Sequence, residues 1–381
     1  MEKAQRIKIL QDIVKIKSVN AHEKEVADYL ADLFAKYDIE SKQVEYAKGR
    51  NNLVAEFGTN QDGKLLAVSG HMDVVEAGDE SEWDFPPFSG EIDGDKLYGR
   101  GTTDMKSGLA ALAIAMCELK EEGTDLNGRI RFLATVGEEI GRIGSKQLVK
   151  EGYADDIDGL IIAEPSSSII AYTHKGSMNF TVTAKGKSAH SSMPAEGINA
   201  INHIADFVLH FNEAMDKVVN EYENSELGRV AASVTVINGG DQVNSIPARA
   251  TIEGNIRTIP EFPNAEVKKV IDNILDELNQ KEDYNLSITY DVDDNAVEKA
   301  KDSSLVQIFD KLTADDVKPG GISPVTDAEA FASMDKDFDL VIYGPGEENL
   351  PHQLNEYVSV EDYLSKIDLF KEAIKEYLKI S

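Results

Sequence analysis

Three apolar segments of the chain, LLAVSG, RIRFLATVG and GLIIA, each lead directly into residue types that bind metal ions. In an open α/β sheet, ligands bind beyond the carboxyl ends of the parallel strands, so these side chains are expected at one edge of a sheet. Two further candidates lie in YGRGTTDMKSG, before an apolar helix, and in LPHQLNEY. In chain order, the candidates are His71, Asp73, Asp104, Glu138, Glu139, Glu164 and His352.

This mixture of carboxylates and imidazoles suits Zn²⁺, Co²⁺ or Mn²⁺. Each candidate alone also fits a helix cap, a solvated carboxylate or an ordinary loop histidine, but their joint placement favours a metal site. A bridging carboxylate can hold two ions about 3.5–4 Å apart and so activate water and a scissile carbonyl. In the Glu138–Glu139 pair, one member can bind metal while the other takes the proton from water. Asp73 could accept the second ring N–H of His71 and fix its tautomer.

Composition excludes several other classes of protein. The 381 residues carry a formal net charge of −30, and such an acidic surface repels nucleic-acid phosphates. No segment approaches the roughly 18 consecutive apolar residues of a membrane span, and the N-terminus reads as an amphipathic helix without a signal-peptide core. Cys117, the single cysteine, lies in an apolar run and is expected to be a buried thiol. We therefore expect a cytoplasmic protein that binds neither nucleic acid nor membranes.

The elements that must position the candidates alternate between strand-like and helix-like segments, which predicts an α/β domain with a mixed, mostly parallel sheet. Near residue 177 the pattern changes to strand–helix–strand–strand–helix–strand, with the first helix predicted at residues 199–211, and this order suits a ferredoxin-like α+β domain. The alternation returns near residue 293. The sequence therefore predicts a discontinuous metal-binding domain, residues 1–176 and 293–381, interrupted by a lid or dimerisation domain, residues 177–292.

The motifs SGHMDVV, PPFSGEIDGDKLYGRGTTDMKSG, TVGEEIG and AEPS resemble those of the M20 metallopeptidase family, in matching order along nearly the whole chain. That family includes succinyl-diaminopimelate desuccinylase, acetylornithine deacetylase, aminoacylase and glutamate carboxypeptidases. The resemblance implies two divalent ions per chain, with Zn²⁺ the first expectation and Co²⁺ or Mn²⁺ the alternatives. The implied ligands are His71 and Glu164 for one ion, Glu139 and His352 for the other, and Asp104 as the bridge.

The resemblance also implies roles beyond the ligands. Glu138 matches the general base, Asp73 matches the residue that orients the first histidine, and the bond from Asp104 to Met105 is often cis in the family. The segment GKSAHSSMP matches one whose histidine, here His190, completes the oxyanion site of a neighbouring subunit in dimeric members. Without the motif, His190 would be an ordinary loop histidine. A homodimer is therefore expected.

Substrate contacts follow from weaker similarities. Asn244 in VNSIP and Arg257 in EGNIR resemble residues that hold a substrate α-carboxylate, which a guanidinium can bind with two hydrogen bonds. A surface ion pair is the alternative for Arg257, and Arg249 is a weaker candidate. The segment KPGGISPVTDAEAF resembles a glycine-rich substrate loop and contributes Gly320, Gly321 and Thr326. Its TDAEAF run departs from the desuccinylase form, which has Ser-Asp-Gly/Ala there.

Together these features predict a metal-dependent amidohydrolase that acts on a small N-acyl amino acid or a short peptide. N-succinyl-LL-2,6-diaminopimelate is the first expected substrate. Acetylornithine deacetylation and di- or carboxypeptidase activity are alternatives within the same chemistry. A non-catalytic metal-binding scaffold is the alternative from another class, and the intact base and ligands oppose it.

Overall fold

A computed structural model of the protein describes residues 1–58, 60–166 and 168–379. The chain divides into two compact units. The first comprises Met1–Tyr172, Lys299–Gly320 and Thr326–Ser381, and the second comprises Thr173–Glu298 and Gly321–Val325. The predicted insertion, residues 177–292, lies within the second unit, whose short return segment at 321–325 was not predicted.

Most helices are amphipathic and bury one face, whereas α3 is apolar on every side and almost wholly buried. The described helices are α1 (Lys3–Lys15), α2 (Lys24–Ala35), α3 (Ser107–Glu121), α4 (Ile143–Lys150), α5 (Ala200–Glu221), α6 (Asn264–Asn279), α7 (Ser304–Leu312), α8 (Ala328–Ala332) and α9 (Val360–Tyr377). Within the described part of the chain, no helix combines the length and apolarity needed to cross a membrane.

The described strands belong to both units. They are β1 (Glu40–Ala47), β2 (Arg50–Gly58), β3 (Lys64–His71), β4 (Ile92–Asp93), β5 (Lys96–Tyr98), β6 (Gly128–Thr135), β7 (Gly159–Pro165), β8 (Ile169–His174), β9 (Ser177–Lys185), β10 (Ala189–His190), β11 (Glu223–Asn224), β12 (Gly228–Arg229), β13 (Ala231–Gly239), β14 (Ser245–Ile246), β15 (Arg249–Arg257), β16 (Leu286–Asp294), β17 (Val297–Glu298), β18 (Lys318–Ile322), β19 (Asp339–Gly344) and β20 (Tyr357–Ser359).

The main sheet of the first unit runs in the order β1-β2-β6-β3-β7-β19-β8. Its central neighbours β6, β3, β7 and β19 are parallel, whereas β1, β2 and β8 are antiparallel to their partners. Strands β3 and β7 are buried along nearly their full length, as expected where a parallel sheet is covered on both faces. The predicted α/β class with a mixed, mostly parallel sheet is confirmed.

The second unit contains a four-stranded antiparallel sheet in the order β13-β15-β9-β16. With α5 after β9 and α6 after β15, this order is that of a ferredoxin-like domain. Helix α5 is longer than the segment 199–211 that the sequence predicts. It continues to Glu221 because Met215 and Val218 extend its buried face into the core.

Glu118, near the end of α3, forms a buried ion-pair cluster with Arg6 and Lys371, neither of which is a candidate ligand. Its two carboxylate oxygens each accept a hydrogen bond from Arg6 at 2.7 Å, and Lys371 donates a third at 2.8 Å. Burial alone would raise the pKa of Glu118, but these cations lower it from 4.5 to about 2. A depressed carboxyl pKa stabilises the fold above the unfolded value, and that stability disappears as the pH falls from about 4.5 towards 2.

We therefore expect Glu118→Gln to lower the free energy of unfolding at pH 7 by about 3 kcal/mol, since it removes the buried anion that Arg6, Lys371 and the N-terminal ammonium group share. Below pH 4.5 the difference from the wild type should shrink. Denaturant unfolding at several pH values measures both effects. A difference that stays constant from pH 7 to pH 3 would contradict the proposed electrostatic origin.

Candidate active site

The carboxyl ends of neighbouring parallel strands bring the first candidates together. His71 is the last residue of β3, and Glu164 lies near the end of β7, which pairs with β3. After β6 the chain turns at Gly137, whose φ of +63° is in the left-handed region. A Cβ there would lie 2.6 Å from Ile143, so only glycine fits the turn that leads into Glu138.

Asp104 stands between two histidines and presents a different oxygen to each. Its Oδ1 is 2.9 Å from Nε2 of His71, and its Oδ2 is 3.5 Å from Nε2 of His352. Glu164 lies on the His71 side, with Oε1 3.7 Å from the ring, and Glu139 lies on the His352 side, with Oε1 at 3.0 Å. The structure thus brings the five predicted ligands into two pairs around one central carboxylate.

The segment that carries Asp104 has an unusual backbone. The peptide bond between Asp104 and Met105 is cis, as the resemblance implies. Met105 is fully buried, and its sulfur lies 3.2 Å from the backbone nitrogen of His71. Met105 therefore packs the segment that carries Asp104 against the strand end that carries His71.

Asp73 orients its neighbours through contacts that differ from the predicted one. Nδ1 of His71 lies 2.9 Å from the backbone oxygen of Asp73, whereas the Asp73 carboxylate is 3.7 Å away. That carboxylate instead accepts hydrogen bonds from the backbone N–H groups of Glu138 and Glu139, at 3.1 and 3.2 Å. Asp73 thus orients His71 through its main chain and the glutamate pair through its side chain.

Glu138 differs from Glu139 in its surroundings. Among the described residues its buried Oε1 has no hydrogen-bond partner, and the Arg142 guanidinium lies 3.7 Å from it. Burial, reinforced by Asp327, Glu164 and Glu139, raises the pKa of Glu138 well above its usual value despite the opposing charge of His71. A carboxyl group in this position can exchange a proton, provided that positive charge is present to keep it ionised.

The donor set as a whole fits divalent cations. Burial alone would lower the pKa of His71, but the surrounding carboxylates raise it well above normal. Hydrogen bonds with Asp104 and Glu139 likewise raise the pKa of His352 to about 10. So much buried negative charge is costly unless cations compensate it. The carboxylates that outnumber the two histidines are Asp73, Asp104, Glu138, Glu139, Glu164 and Asp327.

Asp327 is a member of this group that sequence reasoning missed. It is 1% exposed and accepts hydrogen bonds from Ser145 at 2.5 Å and Thr135 at 2.6 Å. Its neighbour Thr326, predicted to contact substrate, is 3% exposed, and its hydroxyl accepts the backbone N–H of Ala328 at the start of α8. The sequence signal for this segment is the departure of TDAEAF from the desuccinylase form, which does not indicate which residue of the run lies beside the other carboxylates.

The remaining predicted residues belong mainly to the second unit. His190 pairs with Ser245 across β10 and β14, and the adjacent Ser191 N–H donates to the backbone oxygen of Asn244 at 3.0 Å. His190 and Asn244 are therefore neighbours. Arg257 is the last residue of β15 and Arg249 is the first, so the two arginines lie at opposite ends of that strand.

The two predicted loop glycines belong to different units. Gly320 ends the middle segment of the first unit, and Gly321 begins the return segment of the second. A Cβ on Gly321 would lie 2.5 Å from Leu227 and 2.9 Å from Thr173, so close packing requires glycine at this position. This packing requirement is an alternative to the predicted substrate contact.

The fold and the site geometry together define a metal-dependent hydrolase of amide bonds. A model of the peptidase family M20/M25/M40 matches residues 67–376, and the chain belongs to that family. At 41% identity, with 98% of each chain covered, it is similar to a protein of Staphylococcus epidermidis named probable succinyl-diaminopimelate desuccinylase. A protein of Staphylococcus aureus with the same name is 40% identical, again over 98% of each chain.

Solved structures share the fold at low sequence identity. An M20 family metallo-carboxypeptidase from Sulfolobus solfataricus superposes with a TM-score of 0.81 at 21% identity, covering 99% of both chains. An aminopeptidase from Bacillus cereus gives a TM-score of 0.79 at 22% identity, covering all of both chains. These similarities agree with the predicted fold.

Proposed function

We propose that the protein hydrolyses the amide bond of an N-acyl amino acid with two divalent cations bound at the Asp104 site. The observation that carries this proposal is the position of Asp104, whose two oxygens face different histidines at 2.9 and 3.5 Å. A carboxylate with this arrangement suits a bridge between two ions. Zn²⁺ is the proposed metal because two imidazoles accompany the carboxylates, and Co²⁺ or Mn²⁺ would fit the same donors.

Each cation would have its own pair of ligands besides the bridge: His71 and Glu164 for one, and Glu139 and His352 for the other. When bound, the ions supply an acidified water molecule and polarise the scissile carbonyl. Asp73 keeps His71 and the glutamate pair in place through the contacts described above. Glu138, which is not a proposed ligand, is the group free to move a proton.

Glu138 would accept the proton of the attacking water at its carboxylate and then donate it to the leaving nitrogen. Its burial favours the protonated form after the first transfer, and nearby cations favour the ionised form before it. The opposing influences leave the carboxyl group able to serve as base and then as acid. His190 is the proposed hydrogen-bond donor to the oxyanion that forms on the carbonyl.

The proposed substrate is N-succinyl-LL-2,6-diaminopimelate. The named relatives at about 40% identity over nearly the full length support this choice over other acyl amino acids. Arg257 and Asn244 are the proposed carboxylate contacts, with Gly320, Gly321 and Thr326 on the loop. N-acetylornithine and short peptides are the second candidates, because TDAEAF differs from the desuccinylase form at that loop.

A substrate panel tests this proposal. Metal-free protein would be supplied in turn with Zn²⁺, Co²⁺ or Mn²⁺ and assayed with N-succinyl-LL-2,6-diaminopimelate, N-acetylornithine, other N-acyl amino acids and dipeptides. We expect metal-dependent release of succinate, with the highest kcat/KM for the first substrate. A higher kcat/KM for acetylornithine or a dipeptide would overturn the substrate assignment, and failure to cleave any amide would overturn the function.

We also propose a homodimer formed through the second unit. Strand β13 is at the edge of its sheet and exposes two adjacent apolar residues, with Val236 40% and Ile237 63% accessible. An exposed apolar edge strand tends to pair or be covered, and two copies could pair by a two-fold contact. In such a dimer, His190 is proposed to act on the site of the other subunit.

Mixing two inactive variants tests the action of His190 in trans. His190→Ala and Glu138→Ala homodimers should each have little activity while retaining bound metal. After random exchange of equal amounts, half of the dimers are heterodimers with one intact site each, so activity should return towards about a quarter of the wild-type value. Exchange is monitored by mass spectrometry of differently labelled chains. Complete exchange without recovered activity would show that His190 does not act in trans.

A further inference from the structure

A buried ion pair connects the segment that carries Asp104 with the segment that carries His352. Glu356 is fully buried, and its Oε2 accepts a hydrogen bond from Arg100 at 2.7 Å. Arg100 is 3% exposed. The two residues lie on paired segments, since β5 precedes Arg100 and β20 follows Glu356, and these strands are antiparallel neighbours.

Glu356 holds the backbone beside the bridging candidate. Its Oε1 accepts the N–H of Thr103 at 2.8 Å and that of Asp104 at 3.1 Å. The Thr103 hydroxyl also donates to the backbone oxygen of Tyr357 at 2.5 Å. The Asp104 segment is therefore attached to the segment 356–357 by side chains from both sides.

Arg100 holds the other segment. Its guanidinium donates to the backbone oxygens of Gln353 at 3.1 Å and His352 at 3.3 Å, in addition to Glu356. This segment needs support because His352 and Asn355 have φ values of +65° and +57°, in the left-handed region that non-glycine residues rarely adopt. Such a backbone persists only where its surroundings determine it.

We propose that Arg100 and Glu356 are a positioning pair that sets the distance between Asp104 and His352, and with it the geometry of the metal ion they share. Neither residue needs to touch the ion or the substrate. Glu356 fixes Asp104 through two backbone hydrogen bonds, and Arg100 fixes His352 through its carbonyl. The inference rests on the proposed function, because it assigns the pair to a metal site whose ligands are themselves proposed.

Metal affinity, measured apart from catalysis, tests this role. In Glu356→Gln, the amide can present one oxygen but meets Arg100 or the backbone N–H groups with an unfavourable NH₂. We expect Co²⁺ to bind this variant 10–100-fold more weakly, the usual cost of losing a contact that orients a ligand. The visible absorption of the Co²⁺-loaded protein should also change, since it reports ligand geometry.

Glu118→Gln is the matched control. It removes another buried carboxylate that pairs with an arginine in the same unit, but the Arg6–Glu118 contacts do not involve a proposed ligand. This variant should be less stable without metal, yet bind Co²⁺ with the wild-type affinity and spectrum. If Glu356→Gln behaves in the same way, the pair is only structural and the inference is wrong.

Arg100→Lys provides the test if Glu356→Gln does not fold. Lysine keeps a positive charge beside Glu356 but lacks the planar fork that reaches both backbone oxygens. We expect loss of Co²⁺ affinity mainly in one of the two binding events, and wild-type binding in both events would overturn the inference. Failure of the wild type to bind Co²⁺ at all would instead refute the proposed function, so the two failures are distinguishable.

Discussion

Glu138→Gln should lower kcat by about 10²–10⁴-fold while the protein keeps its metal ions, because the change removes a general base and no proposed ligand. Glutamine has nearly the same shape but cannot accept the proton of the attacking water. Steady-state kinetics with metal analysis of the same samples measures both quantities. Binding of substrate should change little, so the loss should fall mainly on kcat rather than on KM.

Glu139→Gln is the matched comparison for this prediction. Glu139 is the next residue in the chain, but its Oε1 is 3.0 Å from Nε2 of His352 and it is a proposed ligand. This variant should lose metal affinity, and excess metal should restore part of its activity. If instead Glu138→Gln released metal and Glu139→Gln kept the wild-type rate, the roles of the two residues would be reversed.

Asp104→Ala should weaken the binding of both metal ions, because it removes the only ligand that the two proposed sites share. The loss of activity should exceed the roughly 100-fold that changes around a ligand typically cause. Calorimetric titration of metal-free protein should show two binding events in the wild type. In the variant, at least one event should disappear within the accessible range of metal concentration.

Asp104→Asn sharpens this test. Asparagine presents one oxygen and one NH₂ group, so it can serve as ligand to one ion but not to both. We expect one binding event to survive with moderate loss and the other to be abolished. A single event in the wild type, together with full activity of Asp104→Ala, would refute the two-ion site.

Much of the first unit could be predicted from the sequence, because the patterns that indicate its strands lie within short segments of the chain. The apolar runs before His71 and Glu164 predict buried parallel strands, and the ends of such strands must meet at one edge of the sheet. The structure confirms the class of fold and brings the predicted ligands together. The alternation over residues 177–292 likewise predicted the order of strands and helices in the second unit. The prediction ended the first of these helices at residue 211, whereas α5 continues to Glu221.

What the sequence could not reveal depends on tertiary pairing between distant segments. Arg100 and Glu356 are far apart in the chain, and their spacing gives no indication that they meet. Asp327 was overlooked because its contacts with Thr135 and Ser145 come from elements separated from it by some 180 residues or more. The contact of His71 with the main chain of Asp73, rather than with its carboxylate, depends on local geometry that residue type does not specify.

The two histidines of the site differ greatly in their access to water. His71 is 1% exposed, whereas 52% of the His352 side chain is accessible. In the proposed two-ion site, the ion beside His352 would therefore exchange with its surroundings quickly and the ion beside His71 slowly. The enzyme would then retain one resident cation through a transient shortage of metal and regain full activity by recruiting the second alone, without having to rebuild the whole centre.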